Sequence, residues 1–146
     1  MSERSDKGRA LLGNGCNCPQ AVFIPLADEF GVDETTAMNM ARGFGGGMGR
    51  EGLVCGAVSG AVMALGCMNA ETAEMDEDRA RFDAYADVAE FHRRFRKIHG
   101  EVNCAALIGL SLKDEKDLAE FRDKNILQDR CRNFVADAIE IVEDIL

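Results

Sequence analysis

The chain has 146 residues, of which 47% are hydrophobic and 29% charged, a composition typical of one folded domain and not of a disordered chain. Its 26 acidic and 17 basic side chains give a net charge of −9, which repels phosphate backbones, so we expect no nucleic-acid partner. Residues 1–9 are charged and show no secretory signal, so we expect a cytoplasmic protein whose thiols are kept reduced.

The recurrence of apolar residues every three or four positions predicts helices along almost the whole chain. Pro19 favours a helix start at Cys18, and Gly31 favours its end. Asp33 is a good N-cap for the next helix, and Gly100 ends the longest one. The predicted helices cover residues 18–30, 34–42, 53–67, 75–99, 104–110 and 129–146, with a short helical turn at 5–12 and a helical or loop-like stretch at 114–123.

No alternating strand of useful length occurs, so the expected fold class is all-α: a single compact domain of five or six helices over residues 1–146. Residues 1–12 are expected to form a flexible N-terminal arm. The uncharged stretch 53–70 is long enough by residue count to span a bilayer. Its glycines, Asn69 and lack of aromatic anchors favour a buried helix and no membrane span.

The six cysteines are Cys16, Cys18, Cys55, Cys67, Cys104 and Cys131. None of them forms a C-x-x-C pair, so the spacings of zinc knuckles, thioredoxins and ferredoxins are absent, and without C-x-x-C-H we expect no covalent haem. Those at positions 18, 55, 104 and 131 lie at or near predicted helix starts, where free N–H groups and the helix dipole favour an anion. We therefore expect lowered pKa values and reactive thiolates there.

The segment from Gly43 to Gly60 resembles the signature of the C_GCAxxG_C_C family, whose members are described as redox-active and carry four cysteines and a Cys-Gly-Ala-x-x-Gly motif. That motif reads Cys55-Gly56-Ala57-Val58-Ser59-Gly60 here. Upstream, Asn17-Cys18-Pro19-Gln20-Ala21 matches the family's Asn-Cys-x-Gln-Ala element, and Cys104 and Cys131 match its downstream cysteines. The resemblance covers roughly residues 10–146.

The resemblance implies that the functional residues are Cys18, Cys55, Cys104 and Cys131. It implies a thiol-based oxidoreductase or the redox partner of a transporter or oxidoreductase system, with Cys16 and Cys67 outside the signature. Four such thiols suit thiol–disulfide exchange, in which a low-pKa thiolate attacks, a second thiol resolves and three pairings are possible. They also suit an iron–sulfur cluster or another thiolate-bound metal that carries electrons. Because the spacing matches no standard cluster signature, thiol chemistry is favoured.

The glycine-rich loop 43–52 leaves room for backbone to approach a buried group or the Cys55 sulfur. The candidate cofactor-binding residues are Gly45, Gly46, Gly47 and Gly56. Gly56 and Gly60 lie four residues apart and form a groove on one face of their predicted helix. Together with the long helix 75–99, that face would support a homodimer. The third interpretation is therefore a helical interaction protein with inert buried cysteines.

Overall fold

The computed structural model describes residues 1–146 and contains nine α-helices and no β-strand. The helices are α1 (Glu3–Leu11), α2 (Cys18–Ala27), α3 (Glu34–Ala41), α4 (Gly56–Cys67), α5 (Ala70–Met75), α6 (Glu77–His99), α7 (Cys104–Ile108), α8 (Glu115–Asp123) and α9 (Arg132–Ile145). The all-α prediction is confirmed, but five or six helices was too few. The extra helices are short, and Asp76 separates α5 from α6 because its backbone is extended (φ −156°, ψ 98°) and its side chain caps α6. None of the helices combines the length and apolarity that a membrane crossing requires.

Local sequence signals set most helix ends where they were predicted. Asn17 and Gln20 form a capping box at the start of α2, each side chain accepting the other's backbone N–H. The Asp33 side chain accepts the Thr36 N–H at 2.8 Å and caps α3. Gly100 is left-handed, with a φ of 82°, and ends α6.

Helix α2 is the centre of the core. Every residue from Pro19 to Ala27 is buried, as expected for a helix that is apolar on all sides. Helices α1, α3, α4 and α9 pack around it. The largest fully buried side chains from these and neighbouring helices are Phe23, Leu26, Val58, Leu65, Phe91, Phe95, Val135, Ile139 and Val142.

Residues at both ends of the sequence pack together. Residues 3–11, part of the expected N-terminal arm, form α1, which lies against α9. The Ser5 hydroxyl donates to Glu140 at 2.8 Å, and a Cβ atom on Gly8 would lie 2.4 Å from Cδ1 of Ile139. The two helices therefore approach closely because Gly8 has no side chain.

The apolar residues of the long helix α6 divide into two groups. Phe91 and Phe95 are fully buried and stack on each other with ring centroids 5.8 Å apart. Phe82, Tyr85 and Ile98 are exposed. Only the C-terminal half of α6 therefore contributes large side chains to the core.

Candidate functional site

One cavity of about 500 Å³ brings together the cysteines of four separate segments. Among the residues singled out in the sequence, its lining includes Cys16, Cys18, Cys55, Cys104, Cys131, Gly45, Gly46 and Gly56. Gly47 and Cys67 are outside the lining. A volume of this size suits a small-molecule ligand. The four signature cysteines therefore share one site.

Close packing of α2 on α4 places Cys18 beside the start of α4. A Cβ atom on Gly56 would lie 2.6 Å from Cδ of Pro19 and 3.0 Å from Cβ of Cys18. One turn later, a Cβ atom on Gly60 would lie 2.8 Å from the Pro19 carbonyl oxygen. Glycine is needed at both positions for this approach. The predicted glycine groove exists, and α2 of the same chain fills it.

A short antiparallel bridge places Cys55 beside Cys104. The Cys55 N–H donates to the Val102 carbonyl oxygen at 2.8 Å, and the Cys104 N–H donates to that of Leu53 at 2.6 Å. Because the residues before it are used in this bridge, α4 begins at Gly56 and not at Leu53 as predicted. Two helix starts, each with a cysteine, are thereby fixed side by side.

The glycine-rich loop contains one turn of left-handed helix. Residues 46–49 all have positive φ angles, between 62° and 73°. The Arg50 N–H donates to the Gly45 carbonyl oxygen at 3.0 Å, and the Leu53 N–H donates to that of Gly47 at 3.0 Å. Left-handed backbone is unfavourable for residues with a Cβ atom, and glycine occupies three of these four positions, with Met48 (φ 69°) at the fourth.

This left-handed turn packs directly on the start of α7. A Cβ atom on Gly47 would lie 2.7 Å from Cβ of Cys104, and one on Gly52 would lie 2.9 Å from Cβ of Ala105. A Cβ atom on Gly45 would lie 2.6 Å from Nδ2 of Asn17, next to the start of α2. The glycines therefore let the cysteine-bearing segments approach one another.

Cys131 lies at the end of a π-helical segment, Leu127–Cys131, that runs directly into α9. The sequence predicted one regular helix from position 129. The side chain of Arg130 donates to the carbonyl oxygen of Leu107, which ties this segment to α7. Since π-helical turns occur often at functional sites, this departure from regular helix geometry supports a special role for Cys131.

The thiols differ in exposure. All six cysteines are free thiols. Cys55 and Cys131 are only 4% and 6% exposed, whereas Cys18 and Cys104 are half-buried.

Cys18 and Cys131 interact and shift each other's pKa in opposite directions. Hydrogen bonding with Cys18 is the largest effect on the Cys131 thiol, and it lowers the pKa of Cys131 against the opposing effect of burial. The positive charge of Arg130 also lowers this pKa. The same hydrogen bonding, together with burial, raises the pKa of Cys18 well above its ordinary value. Cys131 is thus the thiol of this pair that ionises first.

Cys55 and Cys104 keep their protons to much higher pH. Burial raises the pKa of Cys55 to about 12, although the backbone amides of Ala57 and Val58 act in the opposite direction. Burial also raises the pKa of Cys104 to about 11. The expectation of lowered pKa values at four helix starts is therefore wrong except at Cys131. At Cys55 and Cys104 the desolvation of a buried thiolate dominates, and at Cys18 the hydrogen bonding with Cys131 is the largest cause, with burial second.

No group of three or more cysteine, histidine, aspartate or glutamate side chains is arranged so that it could hold a metal ion. The four signature thiols line one cavity without forming the closed ligand set of a four-coordinate thiolate site. To hold a metal or a cluster, these thiols would have to move together and lose their protons.

The cavity residues that were not assigned to the site from the sequence include Cys16, Arg42 and Arg50. The Cys16 thiol lies 3.8 Å from Sδ of Met38, and burial together with the charge of Glu34 raises its pKa. The two arginines are the only charged residues in the lining. The one feature of the sequence that could have indicated Arg50 is that it is the only basic residue of the glycine-rich loop 43–52.

We expect Arg130→Gln to raise the pKa of Cys131, because the variant loses a positive charge that favours the thiolate. The rate of alkylation of Cys131 by iodoacetamide at pH 7 should fall several-fold and recover at higher pH. Arg130→Lys keeps the charge and should retain most of the rate. Equal rates in the glutamine variant and the wild type across pH would contradict the assignment.

A family model described as "Putative redox-active protein (C_GCAxxG_C_C)" matches residues 16–145. An "Uncharacterized protein" of Archaeoglobus fulgidus is 29% identical over 140 residues, which span 90% of this chain and 85% of that relative. No solved structure matches.

Proposed function

The chain belongs to the C_GCAxxG_C_C family, described as redox-active, and on that premise we propose that it is a thiol redox protein in which Cys18 and Cys131 form a reversible disulfide. One observation carries this proposal: the two thiols interact at a shared cavity, with the pKa of Cys131 lowered and that of Cys18 raised. Such a pair supplies an attacking thiolate and a protonated resolving thiol.

In the first step, the Cys131 thiolate attacks a disulfide R–S–S–R brought into the cavity. A bond forms between the Cys131 sulfur and one substrate sulfur, the substrate S–S bond breaks, and R–S⁻ leaves. The product is a mixed disulfide on Cys131. This step uses the lowered pKa of Cys131, because only the thiolate is the nucleophile.

In the second step, Cys18 attacks the Cys131 sulfur and releases the second R–S⁻. Cys18 loses one proton, which a departing R–S⁻ accepts, so two protein thiol groups give two electrons to the substrate disulfide. The interaction with Cys131 is the largest cause of the raised pKa of Cys18. Once Cys131 is in the mixed disulfide, its sulfur carries no charge, so the pKa of Cys18 falls. The Cys18 thiolate therefore forms more readily in the resolving step.

Cys55 and Cys104 would form the second pair. They are held side by side by the antiparallel bridge, and their pKa values of about 12 and about 11 keep both protonated at neutral pH. We therefore expect them to oxidise after Cys18 and Cys131, by exchange within the cavity or with a redox partner protein. A reducing compartment such as the cytoplasm would return both pairs to thiols.

The test is a count of free thiols during mild oxidation of protein purified without oxygen. We expect a metal-free protein that loses two thiols first, reversibly, with peptide mapping placing the linkage between Cys18 and Cys131. Linkage of Cys18 to Cys55 or Cys104 in that first phase would contradict the proposed pairing. Stoichiometric iron and sulfide, with a visible band lost in Cys55→Ser, would instead establish the cluster alternative.

A further inference from the structure

We propose that Arg42 and Arg50 make the thiol cavity selective for small disulfides that carry carboxylate groups. This inference rests on the thiol chemistry proposed above and adds the chemical class of the substrate. The cavity provides two kinds of surface for such a molecule: an apolar wall for its carbon chain and positive charge for its ends.

The charge in the cavity is of one sign. The protein carries a net charge of −9, yet its cavity lining contains two arginines and no acidic residue, lysine or histidine. A cleft lined by charge of one sign attracts ligands of the opposite sign. The positive charge at this cavity therefore favours anionic ligands, although the protein as a whole is negatively charged.

Both arginines lack an acidic partner within the protein. Arg42 donates only to the side-chain oxygen of Asn39, at 2.8 Å, and the Arg50 side chain has no hydrogen-bond or ion-pair partner. The neighbouring Glu51 is paired with Lys113. Both guanidinium groups are thus free to bind a carboxylate, which suits their planar, two-pronged geometry.

Arg50 also occupies an unfavourable backbone conformation, with a φ of 70°. Glycines hold most of the neighbouring left-handed positions, and a glycine here would remove the strain. A Cβ atom on Gly46 would lie 2.8 Å from Cγ of Arg50, so the first carbons of the arginine side chain lie against Gly46 at the cavity wall. Strain retained by a residue that lines a cavity is typical of a functional position.

The apolar part of the lining limits the substrate to a small molecule. Leu107, Ile108 and Phe121 face the same space as the four thiols. A disulfide with short carbon chains would place its S–S bond near Cys131 and its carboxylates toward the arginines. Exchange then follows the two balanced steps above: the dithiol becomes the Cys18–Cys131 disulfide, and the substrate becomes two carboxylated thiols.

The test compares three small disulfides of similar size and different charge: dithiodipropionate (anionic), hydroxyethyl disulfide (neutral) and cystamine (cationic). Rates of oxidation of the reduced protein are measured without oxygen, and each variant is compared with the wild type for the same disulfide. In Arg50→Gln, the preference for the anionic over the neutral disulfide should fall about tenfold, and the fall should be smaller at high salt. Arg50→Gly removes the charge and the backbone strain together, and it should show the same loss.

Arg96→Gln is the matched control, because Arg96 is exposed on α6, lies outside the cavity and forms no ion pair. It should keep the wild-type preference. Thiodipropionate, a thioether that cannot exchange, should protect Cys131 from alkylation in the wild type and not in Arg50→Gln. Unchanged preference in both Arg50 variants, with normal formation of the Cys18–Cys131 disulfide, would overturn the inference and leave the thiol function standing. Failure of all three disulfides to oxidise the protein would overturn both.

Discussion

A Gly47→Ala variant is expected to lose about 2–5 kcal/mol of unfolding free energy, from left-handed strain and steric overlap together. Gly47 has a φ of 73°, and its added Cβ would lie 2.7 Å from Cβ of Cys104 and 2.8 Å from the backbone N and O of Leu53. Relaxation is restricted, because Leu53 donates its N–H to the Gly47 carbonyl oxygen. The melting temperature should fall by roughly 10 °C, and Cys104 should be displaced from the cavity.

Gly66→Ala provides the comparison. Gly66 is an exposed residue inside α4, and a Cβ atom there would meet nothing within 4 Å. Alanine should therefore stabilise the helix by about 0.5–1 kcal/mol. Chemical denaturation of both variants measures the two effects. Similar stability of Gly47→Ala and Gly66→Ala would show that the left-handed turn is not needed to hold the site.

Features that depend on neighbouring residues were predictable from the sequence. The caps at Asn17 and Asp33 and the helix end at Gly100 follow from side chains and backbone angles within one turn. The start of α4 was predicted three residues too early. Val54, which was predicted to lie in its first turn, instead pairs with Asn103, almost fifty positions away in the chain. No local sequence pattern encodes such a distant partner.

The convergence of the four cysteines was expected from the family signature and could not be derived from spacing. Helix periodicity places a cysteine on an element, but which elements meet depends on packing across the whole chain. Gly56 shows this: its role is to let Pro19 and Cys18 approach, and that contact requires α2 to lie against α4. Gly56 was a candidate site residue from the sequence, but the helix that packs against it was not predictable.

The electrostatics of the site were the least predictable part. Placing thiols at helix starts predicted lowered pKa values, yet burial raises the pKa values of Cys55 and Cys104. Burial depends on the tertiary fold, so it is not visible at the level of one helix. Cys131 is the exception because Cys18 and Arg130 both favour its thiolate.

Cys131→Ser should remove the rapid thiol chemistry, because it removes the one thiol whose pKa is lowered. In the wild type, alkylation at neutral pH should be faster than that of a thiol with an ordinary pKa, and it should slow as the pH falls because the fraction of Cys131 thiolate falls. In the variant, Cys55 and Cys104 become reactive only at high pH, and Cys18 has lost the neighbour that raises its pKa, so it behaves as a more ordinary thiol. Stopped-flow alkylation at pH 7 should be at least about tenfold slower.

Cys18→Ser separates attack from resolution. This variant keeps Cys131 and a hydroxyl at position 18 that can still donate to its thiolate, but it lacks the thiol that completes the internal disulfide. A small disulfide should therefore leave a stable mixed disulfide on Cys131, visible by mass spectrometry as one added R–S group. Cys131→Ser should form an adduct much more slowly at neutral pH, and Cys67→Ser, outside the cavity, should behave as the wild type. The opposite pattern, an adduct trapped on Cys18 in Cys131→Ser and none in Cys18→Ser, would make Cys18 the nucleophile, since only the attacking sulfur can carry the intermediate.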